Sequence, residues 1–444
     1  MTKRDHRNNR NRKRTEQHSP RRRPKREEPR GMLSKVAIGE VSATLWISTG
    51  IEPSRAIKPY EHLLADTIAK LQPKRLLEIG SEVGAVGLAA AQSGWAERIV
   101  WVQRDTVGLN AVQRTLAAQP LADYTAILGE GARDAASESF DAVVVHQQPS
   151  RKLTETLLRQ AISVLEATGV IVLAGDIQLG ARTAAAALAE LCENVDVTEG
   201  GKTGLVAIGR NPHSSAAMSE QAPRTTHEAE IHGTVFQWVT TPGVFSADDL
   251  DPATELLLDT VVLPHRGRIL DMGCGPGVIG LFAALHMPET DVTMIDTDIA
   301  AVRCAEEGIK RNCLTNARVV ASDGIEAIER KRFDVVLSNP PVHRAGRRDA
   351  SLVSRFAEEA ARAIGRKGRL WLVTAPTVPL QRLLGELFTE VAVTEDFAQR
   401  FRVYDAIRRP RRHTRPDEVA VELNEFDDDI EFDEDDWGDD WDAE

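Results

Sequence analysis

At 444 residues and a formal net charge of −12, the chain is too long for one ordinary core and contains no apolar run long enough to span a bilayer. Four cysteines without a CxxC pair are too few for a disulfide framework, and a polar, basic N-terminus with no apolar stretch behind it excludes a secretory signal. These features point to a soluble, cytoplasmic protein of two domains, without a membrane partner, whose ends carry charge that the average conceals.

Residues 1–30 hold 13 Lys and Arg against 4 Asp and Glu, a balance of +9 that includes Arg21-Arg-Arg-Pro-Lys-Arg26. With almost no apolar side chain before Met32, segment 1–31 cannot bury enough surface to offset its ordering entropy and is expected to be a disordered basic tail. Such an arm attracts nucleic acid by counterion release, a plain solvating tail being the alternative.

From residue 32 to residue 210, short apolar strands alternate with helical stretches, the pattern of a parallel sheet covered by helices on both faces. A polar stretch, 211–230, then reads as a linker, and residues 231–412 repeat the first body at a constant offset of 193. Leu76-Leu-Glu-Ile-Gly-Ser-Glu-Val-Gly84 stands opposite Ile269-Leu-Asp-Met-Gly-Cys-Gly-Pro-Gly277, and Phe140-Asp-Ala-Val-Val-Val145 opposite Phe333-Asp-Val-Val-Leu-Ser338. In the second copy, strands are expected near 269–272, 292–295, 318–321, 335–338 and 370–374. A terminal antiparallel hairpin, Val391–Thr394 with Phe401–Ile407, closes the domain.

The last 30 residues, 415–444, carry 16 Asp and Glu against the single Arg415, a balance of −15; taking +9 and −15 from the total of −12 leaves −6 for the body. Segment 413–444 reads as a disordered acidic tail, either solvated or acting as a competitor for the basic arm or a dock for a basic partner.

In the second copy the strand that ends at Asp271 opens into Gly273-Cys-Gly275-Pro-Gly277, a turn where backbone can approach a ligand because no side chain intervenes. The same residues spell a formal GxGxxG from Gly275 to Gly280, and Asp296 follows Gly275 by 21 positions, where an acid for ribose hydroxyls belongs. The turn by itself therefore also admits a dinucleotide dehydrogenase. Asp296 as a helix cap and Asp323 as an ordinary Asp-Gly turn are the competing structural roles, against ribose and adenine binding respectively.

The segment Ser338-Asn-Pro-Pro341 decides between these chemistries. Two prolines stiffen the loop and remove two donors, so Asn339 and the carbonyls present acceptors to an incoming amino group. An exocyclic base amine is conjugated with its ring and gains nucleophilicity when acceptors draw its hydrogens out of plane. Positioning and electrostatic stabilisation then suffice, without a strong base.

With these motifs the second copy resembles class I S-adenosylmethionine-dependent methyltransferases, and among them the RsmC/RlmG type of ribosomal RNA guanine-N2 methyltransferase. The duplicated body, the lead-in Thr241-Pro-Gly-Val-Phe-Ser-Ala-Asp-Asp-Leu-Asp251, Asn339-Pro-Pro341 and Phe401-Arg-Val-Tyr404 carry the resemblance. It implies two tandem Rossmann-like α/β domains with mostly parallel seven-stranded sheets, the first degenerate and the second catalytic. It also implies that S-adenosylmethionine is held by Asp271, Gly273, Gly275, Gly277, Asp296 and Asp323, and that Asn339 and the Pro340 carbonyl receive the amine while Pro341 and Val342 contact the substrate. Family members place an aromatic residue where this chain has Val342, so stacking on the base must come from elsewhere or the base differs. Phe245 is the candidate for stacking, with core packing as its competing role.

At matched positions the first copy has Gln103 for Asp296, His146-Gln-Gln148 for Asn339-Pro-Pro341 and Glu82 for Gly275, so it is expected not to hold cofactor. It serves as an RNA-docking platform, for which Arg55, Lys58, Lys74 and Arg75 are candidates, or as a brace. The expected substrate is ribosomal RNA, free or in a subunit, with guanine-N2 of the small subunit (16S) first and the large subunit next. Adenine-N6, a protein glutamine, and an inactive RNA-binding protein are the alternatives. Oligomeric state is left open, a monomer being sufficient, and no metal site is expected.

Overall fold

In the computed structural model, the described residues are 31–48, 56–119, 123–201, 203–218, 221–341, 343–344, 347–348 and 350–408. The calls on both charged tails, on Arg55 and on Val342 lie outside them. No helix among the described residues is long and apolar enough to cross a membrane.

The first copy contains β1 (Gly31–Ile38), β2 (Val41–Ser48), β3 (Arg75–Ile79), β4 (Arg98–Gln103), β5 (Tyr124–Leu128), β6 (Phe140–His146), β7 (Leu165–Asp176), β8 (Cys192–Gly200) and β9 (Gly204–Pro212). The second contains β10 (Thr225–Ile231), β11 (Thr234–Thr240), β12 (Gly267–Met272), β13 (Thr290–Asp296), β14 (Ala317–Ala321) and β15 (Phe333–Ser338). The two-residue strands β16 (His343–Arg344) and β17 (Arg347–Arg348) follow, then β18 (Ile364–Thr374), β19 (Phe388–Glu395) and β20 (Arg402–Arg408).

Each copy builds a seven-stranded sheet, in the orders β5-β4-β3-β6-β7-β9-β8 and β14-β13-β12-β15-β18-β20-β19. Five strands and β8 or β19 run parallel, and β9 or β20 runs against them, which is the expected closing hairpin. The central strands read as unbroken apolar runs because both faces are covered. Ile269, Met294, Leu337 and Val373 pack into one core, while their neighbours Leu270, Ile295, Val336 and Leu372 pack into the other.

The duplication reaches further upstream than the sequence landmarks. Each sheet is preceded by a two-stranded hairpin, β1-β2 and β10-β11. In the second hairpin, the turn residues His232 and Gly233 have φ of 49° and 72°, the left-handed pair that a tight hairpin turn requires. Phe236 and Trp238 from this hairpin close one core of the second domain. Of the segment read as linker, residues 211–212 complete β9 and β10 begins at Thr225.

The copies meet through the same element used twice. Asp105, just after β4, and Asp298, its counterpart 193 residues on, form an antiparallel bridge. Thr106 N–H donates to the Thr297 carbonyl at 3.0 Å and Ile299 N–H to the Arg104 carbonyl at 2.9 Å. This is the self-complementary arrangement of an isologous dimer, contained in one chain. Arg104 Nε donates to both Asp298 carboxylate oxygens, at 2.9 and 3.0 Å. Glu130, the counterpart of Asp323, is buried and accepts from Arg224 at 2.7 Å and Arg303 at 3.1 Å.

Candidate active site

Of the expected site residues, Asp271 to Gly277, Asp296, Asp323 and Asn339 to Pro341 gather at the carboxyl ends of β12, β13, β14 and β15, where open parallel sheets bind ligands. Gly273, Gly275 and Gly277 have φ of 70°, 52° and 87°, so the turn uses the left-handed region at every glycine of the motif. Their roles differ. A Cβ on Gly277 would come within 2.9 Å of the Ala305 Cβ, so this glycine serves helix packing. A Cβ on Gly275 would meet nothing within 4 Å, which leaves open space above the turn.

Asp271 is fully buried. Its Oδ2 accepts the Gly280 N–H at 2.8 Å, and its Oδ1 is buried without a partner in the protein. Burial pushes its carboxyl up to about 7, with the charge of Asp296 adding to the shift and the Gly280 N–H opposing it. Asp296 Oδ2 accepts from Gly275 N–H at 2.8 Å and its Oδ1 from Asp298 N–H at 2.9 Å, which ties the acid at the end of β13 to the glycine turn. Burial raises it to about 6, against the bond from Asp298 N–H. An open glycine cradle flanked by a carboxylate with an unmatched buried oxygen fits a ligand bearing donors or positive charge.

Asp323 is engaged in a way the sequence did not reveal. Arg355, on the helix Ala350–Ala363, donates to its Oδ1 and also to Glu359 Oε1 at 3.1 Å. An adenine amine at Asp323 would share the carboxylate with that guanidinium.

Asn339 follows β15, where Ser338 Oγ donates to the Met272 carbonyl at 2.7 Å and locks the two strand ends together. Its Nδ2 donates to Asp251 Oδ2 at 2.8 Å and to Thr254 Oγ1 at 3.0 Å. A carboxylate can only accept, so the amide nitrogen must face Asp251 and the oxygen Oδ1 must face away. Pro340 is buried and Pro341 exposed. Asp251 also accepts the Thr254 N–H at 2.7 Å, capping the helix Pro252–Thr260. Asp251 and Thr254 were not among the expected site residues. The sequence signal was present, because Asp followed by Pro at the first helical position marks a helix start.

Core packing of Phe245 is overturned, since the side chain is 59% exposed. Its neighbour Val244 takes the buried place, packed on Ala300, Ala301 and Cys304. The lead-in thus runs from Pro242, whose carbonyl accepts from Arg104 of the first copy at 3.2 Å, past the buried Val244 to the Asp251 contact with Asn339, with Phe245 outside.

The same positions in the first copy are filled by the protein itself. Glu78 Oε2 accepts from Gly87 N–H and Trp101 Nε1, each at 2.8 Å, and Oε1 lies 2.9 Å from His146 Nε2, so neither oxygen is left over as in Asp271. Burial would lower the His146 pKa, yet the Glu78 contact, with Glu61 and Glu82 adding, holds it above the usual value. Tyr60 Oη extends this chain at 3.3 Å, and the Gln148 side chain donates to the Gly80 carbonyl at 3.2 Å. Glu82, in the place of Gly275, pairs with Lys58 at 2.9 Å. Lys58 and Arg75, two candidates for RNA docking, are thus held in ion pairs, Arg75 with Glu138 at 3.2 Å.

Among known proteins, the family model of the methyltransferase small domain matches residues 50–205 and again 236–405, one match for each copy. A ribosomal RNA small subunit methyltransferase C of Pseudoalteromonas atlantica is 31% identical over 238 residues, covering 53% of this chain and 68% of the relative. The Alteromonas mediterranea protein of the same name is 29% identical over 273 residues, 61% of this chain and 74% of the relative. The solved structure of the T. thermophilus 16S rRNA N2 G1207 methyltransferase (RsmC), in complex with AdoMet and guanosine, superposes with a TM-score of 0.70 at 26% identity. The match covers 85% of this chain and 98% of that one. With both copies matched by that family model and with these relatives, the chain belongs to the methyltransferase small-domain family, within the ribosomal RNA small subunit methyltransferase C group.

Proposed function

We propose that the chain transfers a methyl group from S-adenosylmethionine to the exocyclic N2 of guanine in small-subunit (16S) ribosomal RNA, and that the second copy performs the transfer. The observation that carries this reading is the clamped amide of Asn339, whose Nδ2 is held by Asp251 and Thr254 while Oδ1 is left as an acceptor beside the glycine turn. The T. thermophilus relative is a 16S rRNA N2 G1207 methyltransferase and its structure holds AdoMet and guanosine, while the Pseudoalteromonas atlantica relative is a small subunit rRNA methyltransferase.

Bound cofactor supplies an electrophilic methyl on a sulfonium. Asp296 accepts from ribose hydroxyls, Gly275 leaves room above the turn, and the unmatched Oδ1 of Asp271 offers an acceptor nearby. Asn339 Oδ1 and the Pro340 carbonyl accept hydrogens of the amine, turning its lone pair out of conjugation and stabilising the charge that develops on nitrogen. Because Asn339 is pinned before the substrate arrives, little reorganisation is left to the reaction step. Phe245, exposed on the lead-in, is the aromatic available to stack on the base in place of a residue at 342. An rRNA substrate also places the work in the cytoplasm.

Incubating the protein with labelled S-adenosylmethionine and purified small subunits, large subunits and naked rRNA tests this. Label in the small-subunit RNA is expected. Label confined to large-subunit RNA or to protein would contradict the assignment.

A further inference from the structure

Phe397 lies outside the site described above, and its place in the fold points to the RNA on either side of the target. Strands β15, β18 and β19 run parallel, so the end of β19 at Glu395 and Asn339 after β15 lie at the same edge of the sheet. The register runs Ser338 to Leu372, Leu372 to Tyr404 and Tyr404 to Val393, three strand spacings in all. At about 4.8 Å per spacing this is about 14 Å across the sheet from Ser338 to Val393, at least the run of roughly four stacked nucleotides at about 3.4 Å each, with Phe397 four residues beyond Val393.

The turn joining β19 to β20 is internally fixed. Asp396 Oδ1 accepts the Phe401 N–H at 2.8 Å, Gln399 N–H donates to the Asp396 carbonyl at 2.9 Å, and Gln399 takes a φ of 56°. The Arg400 guanidinium lies 5.5 Å from the Phe401 ring centroid. This braced turn leaves Phe397 fully exposed, at 107% of its reference area. A single exposed apolar side chain needs no explanation by itself. Here it stands on an ordered turn at the ligand edge, and the matching turn of the first copy, between Gly200 and Gly204, carries no aromatic. The aromatic accompanies the copy that keeps Asn339-Pro-Pro341.

We infer that Phe397 stacks on a base several nucleotides from the target on the same strand and so sets affinity for the RNA; this rests on the RNA methyltransferase reading above. The turn's arginines are already matched, Arg400 with Asp396 at 3.4 Å and Arg402 with Glu395 at 2.6 Å. The contact on offer is therefore a π-face, which every base can meet, and not a phosphate.

The test is methyl-transfer kinetics on naked small-subunit rRNA with Phe397→Ala, Phe397→Leu and Phe397→Trp. Phe397→Ala should raise KM for RNA roughly tenfold, leaving kcat at saturating RNA and the KM for S-adenosylmethionine unchanged. Phe397→Trp should restore RNA affinity and Phe397→Leu should not. An unchanged KM in Phe397→Ala, full rescue by Leu, or a defect seen only with assembled subunits would overturn the inference, the last pointing to a protein contact. If the wild type methylates RNA and Phe397→Ala matches it, only this inference falls. If the wild type methylates no RNA, the reading of the site falls with it.

Discussion

The Asp251 carboxylate accepts the Asn339 amide nitrogen at 2.8 Å while capping the helix that begins at Pro252. One side chain thus fixes both a helix start and the orientation of the amide at the end of β15. In the first copy these two positions are Lys58 and His146, neither of which can reproduce the pair.

Asp251→Ala should therefore reduce kcat by roughly tenfold to a hundredfold, since a freed Asn339 must be ordered at each turnover. Asp251→Asn keeps an acceptor for Asn339 and for the Thr254 N–H, and should recover most of the rate. Equal loss in both variants, measured by single-turnover transfer, would show that the carboxylate charge matters rather than the orientation.

Cofactor affinity should depend on pH through Asp296. Binding to ribose hydroxyls requires the ionised carboxylate, and burial has raised this group to about 6. Below that value the competent fraction falls about tenfold per pH unit. Calorimetric titration of S-adenosylmethionine between pH 8 and pH 5 should show a plateau above about pH 7 and weakening below about pH 6. Asp296→Asn should bind weakly and lose the part of this dependence centred near pH 6, keeping only what Asp271, raised to about 7, contributes; a wild-type curve flat to pH 5 would remove Asp296 from the ribose site.

Gly275→Glu copies into the second domain the residue found at Glu82. The space above Gly275 is open, so the fold should survive at a cost of about 1–2 kcal/mol for the left-handed backbone. Binding of S-adenosylmethionine should be lost. Retained cofactor affinity with a normal melting curve would show that the ligand does not pass over this turn.

At the interface, Glu130→Ala leaves Arg224 and Arg303 without their shared carboxylate. Breaking a buried charge cluster costs about 3–5 kcal/mol, here discounted to about 2–3 because both arginines are partly exposed. Urea unfolding should reveal that loss or a separate transition for one domain. No change would mean that the remaining contacts between the copies, the bridge at Asp105 and Asp298 with Arg104 on Asp298 and Arg303 on Asp134, suffice without Glu130.

Much of the fold was legible because buried parallel strands need continuous apolar runs, and Ile269–Met272 or Phe333–Ser338 could hardly be anything else. The glycine turn and Asn339-Pro-Pro341 were legible for a related reason, since backbone geometry there admits few residue types. The hairpin β10-β11 was not, because Thr225–Ile231 is mostly exposed and its polar alternation resembles a linker. Contacts such as Arg355 with Asp323 or Asp251 with Asn339 join residues 32 and 88 positions apart, and no local pattern announces them. Phe245 shows the same limit from the other side: the sequence could not say that Val244, one residue earlier, would take the buried place.

The direction of methyl transfer to guanine-N2 is the role proposed for Asn339 of the second copy. Its most direct test is nucleoside mass spectrometry of small-subunit RNA after single-turnover reaction with labelled S-adenosylmethionine, comparing wild type with Asn339→Ala. Labelled N2-methylguanosine is expected from the wild type, with at least about a hundredfold less from Asn339→Ala and cofactor affinity nearly unchanged. Label in methyladenosine, or undiminished N2-methylguanosine from Asn339→Ala, would contradict it.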